Sequence, residues 1–207
     1  MGLNFCSERF ADVLTRFGIE PQPALFVELK RHYSAAGRFY HTSQHIEGCL
    51  QLLDRFKHLA QLPEEIELAI WFHDAIYEPR RNDNEQRSAE LFLRLFQDLP
   101  LEKTAKHRIE GMILATKTHQ CVDDDCALML DIDLAILGQS PDRFAEYDLA
   151  IRREYAHIPD EQYRQGRRKV LQSFLARSQI YSTDELYQEF EQPARRNLQR
   201  CLAQLSS

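Results

Sequence analysis

The scarcity of chain-breaking residues constrains this sequence more than any other feature: 207 residues carry seven glycines and eight prolines, and the stretches between them repeat apolar side chains at three- and four-residue spacing. That is the period of a helix with one face turned to a core. Helices are expected over about Phe5 to Phe17, Gln22 to Ala35, Ser43 to Leu59, Pro63 to Tyr77, Asn84 to Asp98, Leu101 to Lys117, Asp124 to Ile136, Pro141 to His157, Glu161 to Arg177, Asp184 to Phe190 and Pro193 to Leu205. Start signals support several of them: Ser140 with Pro141 as N-cap and first helical residue, Asp83 with Gln86 as a capping box, and Thr183 ahead of Asp184 and Glu185. No strand-like alternation bounded by hairpin turn residues occurs, and Ile76, Tyr77 and Glu78 before Pro79 read as the end of a helix. The expected fold class is all-α, a single compact multi-helix domain over 1–207, because no repeat, low-complexity tract or Pro/Ser/Gly linker divides the chain.

Composition narrows the function classes. Apolar residues at 43% and charged residues at 28% are ordinary for a globular protein that buries a core. The formal charge of −6, from 26 basic and 32 acidic residues, repels polyanions and disfavours nucleic acid as a partner. The five cysteines form no close pair and read as reduced thiols. With no secretory leader and no window of ~20 apolar residues, the expectation is a soluble cytoplasmic protein that does not enter a membrane.

Chemistry concentrates at His73-Asp74, which ends the apolar run from Leu68 to Phe72. A buried imidazole and carboxylate are costly unless paired, and a bound cation would satisfy both. On its own the dipeptide fits a hydrogen-bonded core histidine beside a helix-terminal carboxylate better than a metal site. Upstream, His41 and His45 are four residues apart: they share a face if both are helical, and if Thr42 caps the helix His41 still overhangs its first turn. Downstream, Asp131 and Asp133 lie among apolar neighbours on an expected helix. Imidazole nitrogen combined with carboxylate oxygen suits Mn, Fe, Co, Ni or Zn, whereas oxygen alone would suit Mg or Ca.

The order His, His-Asp, Asp on successive helices resembles the HD-domain superfamily of metal-dependent phosphohydrolases. Arg38 to His45, Trp71 to Tyr77, Asp83 to Ala89, Ala115 to His119 and Asp131 to Gly138 are similar to a bacterial branch of unassigned substrate, and the likeness continues through Ile151 to Tyr155 and Gly166 to Leu171. The resemblance implies an HD-domain-like fold and a divalent cation, with Mg added to the candidates above, held by His45, His73, Asp74 and Asp133. Asp131 is the alternative to Asp133, as a ligand or as a residue orienting one. The Tyr40-His41-x-x-x-His45 pattern is also similar to helical cyclic-nucleotide phosphodiesterases, which implies that His41 protonates the leaving oxygen.

Further roles stay open in the sequence. Glu85 either holds water near the metal or is a carboxylate favoured by a helix N-terminus. Lys117, Arg38, Arg152 and Arg167 are either partners of phosphoryl oxygens or solvated charges. His119 is either a second-metal or substrate contact or a cation at a helix C-terminus. The resemblance implies hydrolysis of a phosphate ester of a small molecule, a nucleotide among the candidates because Tyr147, Tyr155, Tyr163, Arg164 and Arg168 could stack a base and bind phosphate. Two other classes fit the same motifs: a non-catalytic, metal-containing ligand-binding or regulatory module, and a di-iron oxygenase that would need His119 and His107.

Overall fold

The computed structural model describes residues 5–121 and 123–205. Among them are ten α-helices, two short 3-10 turns and no strand, so the fold is all-α. The helices are α1 Ser7–Arg16, α2 Pro23–Tyr33, α3 Ser43–Phe56, α4 Pro63–Phe72, α5 Asn84–Leu95, α6 Lys103–Ala115, α7 Asp124–Leu134, α8 Pro141–Glu154, α9 Asp160–Leu175 and α10 Asp184–Leu205. The chain divides into two compact units, Met1–Leu130 and Asp131–Ser207. The division falls inside α7, so no Gly- or Pro-rich linker marks it.

In the first unit α4 is the central rod. Every residue from Glu65 to His73 is buried, and α1, α3, α5 and α6 all pack on it. An aromatic cluster of Phe10, Trp71, Phe72, Phe92 and Phe96 forms this core. A helix buried all round should carry no charge, yet α4 contains Glu65 and Glu67. Both are paired: Arg108 donates two hydrogen bonds to Glu65, and Arg9 joins Glu67 on α4 to Asp54 on α3. Pairing makes the burial of these carboxylates tolerable.

The second unit is built around α10, which packs on α9 and on the 3-10 turn Ala135–Gly138. Gly138 lies so close to α10 that a Cβ there would stand 2.7 Å from the Phe190 Cβ. Asn197 donates to the carbonyls of Leu137 and Gln139, and Glu191 accepts the backbone N–H groups of Ile180 and Tyr181.

Three local expectations are corrected. The stretch Asp184–Leu205 is one helix with Pro193 inside it, not two helices. Proline deletes one i→i−4 bond, but Leu186, Phe190, Ala194, Leu198 and Cys201 stay buried on both sides of it. Next, α4 ends at Phe72 rather than Tyr77, because the polar groups near and beyond its end are taken by side chains: the Tyr33 hydroxyl donates to Trp71 O, the Ser88 hydroxyl exchanges hydrogen bonds with Ile76, and Arg38 donates to Asp74 O and Ala75 O. Finally, Asp83 sits at the N-cap of α5 but makes no capping bond, since Arg81 holds its carboxylate in a bidentate pair.

Candidate metal centre

His45 lies in the first turn of α3, where the Thr42 hydroxyl accepts the Gln44 N–H and starts the helix. His41 therefore precedes the cap rather than sharing the helix face. His73 and Asp74 occupy the turn at the end of α4. The two segments bring three side chains of the first unit together: His45 Nε2 is 3.1 Å from His73 Nε2 and 3.4 Å from Asp74 Oδ2, and His73 Nε2 is 3.1 Å from Asp74 Oδ2. Both histidines are buried and Asp74 is partly so.

Tautomers decide what this triangle is. His73 Nδ1 lies 2.9 Å from the carbonyl of Ile70, an acceptor only, so Nδ1 carries the proton and Nε2 of the neutral ring presents a lone pair. That lone pair points toward a carboxylate and a second imidazole. Ligand atoms about 2.0–2.2 Å from one cation stand roughly 2.9–3.6 Å apart in octahedral or tetrahedral shells, and the three measured edges lie within that range. The donor set and its spacing fit a divalent cation. Burial alone pushes the Asp74 carboxyl up, but when the imidazoles are protonated the charges of His73 and His41, and then hydrogen bonds from His45 and His73, hold it well below the usual carboxylate range.

His41 stacks on Tyr77, ring centroids 3.9 Å apart, with its own centroid 6.2 Å from that of His45. Neither Tyr77 nor Cys49, whose Sγ is 3.8 Å from His45 Nδ1, was singled out from sequence for a part in the centre. Cys49 follows His45 by four residues on α3, a spacing that places both on one face and could have identified it.

The remaining candidates are distributed as follows. Asp133 is half-buried on α7, one turn past Leu130, where the first unit ends. Asp131 spends its carboxylate inside the second unit, accepting the backbone N–H groups of Ser182 and Thr183. Glu85 is half-buried in the first turn of α5, and Lys117 donates to the carbonyl of Asn82. Among the described residues, neither makes a hydrogen bond or ion pair with the His45, His73 and Asp74 side chains. His119 closes α6 in the left-handed region, φ 51°, with its N–H on Ala115 O, a helix-terminating geometry. His107 is exposed with Nδ1 on the carbonyl of Lys103.

The arginines offered for phosphoryl oxygens are engaged elsewhere. Arg38 donates to three backbone carbonyls, Arg152 pairs with Asp160 and the carbonyls of Tyr155 and Ile158, and Arg167 is buried against Asp148 and Tyr147. Among the described residues, no helix is long and apolar enough to cross a membrane. No family model, no curated protein and no solved structure matches the chain.

Proposed function

We propose that His45, His73, Asp74 and Asp133 hold a divalent cation, and that the protein is a metal-dependent hydrolase acting on a phosphate ester of a small molecule, as the HD-superfamily resemblance implies. The observation carrying this reading is the convergence of two imidazole nitrogens and a carboxylate oxygen at the edge lengths of one coordination shell. The resemblance supplies Asp133, on α7, as the fourth ligand.

A divalent cation supplies Lewis acidity toward a phosphoryl oxygen and lowers the pKa of a water. In the proposed reaction water adds to phosphorus, the ester P–O bond breaks, and the leaving oxygen takes a proton. His41 suits that proton transfer, because its ring is half-buried at the rim of the His45 and His73 pair and held by the Tyr77 stack, and an imidazole can donate a proton near neutral pH.

Elemental analysis of protein purified without chelator, followed by a phosphate-ester panel with Mn, Fe, Co, Ni, Zn or Mg added, tests the proposal. Bound metal and turnover that vanishes in His73→Ala and Asp74→Ala, with helical circular dichroism intact, is the expected result. Metal bound without turnover, together with a higher melting temperature in the presence of one nucleotide, would assign the centre to a binding module. A protein that takes up no divalent metal ends the reading.

A further inference from the structure

The centre is assembled from two stretches of chain at the ends of different helices. One is the bend from Arg38 to Thr42 leading into α3, which carries His41 and His45; the other is the turn after α4, which carries His73 and Asp74. The Arg38 side chain spans both. Its Nη1 donates to His41 O at 2.9 Å and to Asp74 O at 2.7 Å, and Nη2 donates to Ala75 O at 2.7 Å. Its guanidinium lies over the Tyr33 ring at 5.3 Å and the Tyr77 ring at 5.7 Å, and Tyr77 in turn stacks on His41. Tyr33 is anchored by its hydroxyl on Trp71 O, near the end of α4.

We infer that Arg38 is the positioning residue of the metal centre, clamping the His41 and His45 segment against the His73 and Asp74 turn through three carbonyls and the Tyr33 and Tyr77 faces. The inference rests on the metal-centre reading above. The physical reason for arginine is its planar fork. Three acceptors from two segments must be satisfied by one rigid cation, and the same plane must fit against aromatic faces. Lysine carries the charge but cannot span these acceptors in one plane. The Asp74 and Ala75 carbonyls belong to a chain that has left its helix, and Arg38 supplies donors there in place of helix amides.

The test uses the full-length chain as wild type, Arg38→Met, Arg38→Lys and Arg108→Met, the last removing an ion pair to Glu65 at a different place on α4. The first readout is metal-free: the imidazole proton resonances of His41 and His45. The second is the affinity for Co(II), followed by calorimetry and by its visible absorption. Arg38→Met should move both imidazole signals and weaken Co(II) binding by about 10–100-fold, with Arg38→Lys restoring only part of either. Arg108→Met should lower the melting temperature and leave the signals and the affinity near wild type. Unchanged imidazole signals in Arg38→Met, or shifted signals with undiminished Co(II) affinity, overturn the inference. If Arg38→Met does not fold, Arg38→Lys carries the same comparison. Should the wild type bind no Co(II), the metal reading fails separately and the clamp is decided by the metal-free signals alone.

Discussion

His73 donates a hydrogen bond from Nδ1–H to the carbonyl of Ile70, three residues earlier, and thereby turns the opposite nitrogen of the same ring toward His45 and Asp74. A helix backbone thus selects the tautomer of a candidate ligand, a service that carboxylates or carbonyls commonly perform around metals. The consequence is measurable as stability. At a free metal concentration of about 100 times Kd, binding to the folded state alone adds roughly 2.7 kcal/mol. Scanning calorimetry of wild type should show the matching rise in melting temperature, reversed by chelator and absent in His73→Ala. A wild-type melt indifferent to every divalent metal would contradict it.

His41 should separate chemistry from assembly. It lies outside the triangle, on Tyr77, so His41→Ala is expected to lower turnover of a responsive phosphate ester by about 10²–10⁴-fold while Co(II) affinity changes little. Loss of metal binding in this variant would make His41 a ligand rather than a proton donor.

Gly138 has no room for a side chain, since a Cβ would meet the Phe190 Cβ and carbonyl oxygen, each at 2.7 Å. Part of this obstruction is backbone, so the turn and α10 must separate. Gly138→Ala should cost about 1–3 kcal/mol, read as a lower urea midpoint. An unchanged midpoint would mean the approach relaxes without loss.

Alkaline pH should weaken the second unit. Burial, and then the Asp148 carboxylate, push the Cys201 thiol from 9.0 up to about 11. Below pH 9 folded and unfolded states both keep the proton and this contribution to stability is complete. As pH rises from 9 toward 11 the unfolded state releases the proton while the folded state retains it, so stability falls, by about 1.4 kcal/mol per unit at most. Urea unfolding at about pH 8 and 10.5 should show a loss in wild type that is smaller in Cys201→Ala by roughly 2 kcal/mol. Equal losses in the two proteins would show that the thiol does not couple.

Periodicity located the helices because amphipathic faces are local. Helix ends were less visible because tertiary partners set them. Tyr33, Arg38 and Ser88 take the polar groups near and beyond the end of α4, and nothing near Tyr77 announces that. Pro193 reads as a breaker until the buried stripe on either side of it is seen. The candidate ligands divide the same way. Asp131 and Asp133, two residues apart on α7, project about 200° apart, so spacing says that they face different surroundings but not which of them meets what. Asp131 is claimed by the amides of Ser182 and Thr183, far along the chain, where no sequence window would look. Arg38 read as a charge for substrate, whereas its partners are carbonyls, and backbone acceptors leave no trace in a sequence.

The rod at the middle of the first unit has a kinetic consequence. From Glu65 to His73 α4 offers almost no surface to solvent, and the His73 amide is bonded to Ala69 O at 2.9 Å. No partial fraying can expose that stretch without dismantling the helices around it, so its amide protons should exchange with deuterium only when the whole unit opens. One corner of the triangle, His73, is therefore fastened to backbone that should be the slowest to open in that unit, while His45 arrives on α3 behind a bend whose His41 carbonyl Arg38 holds.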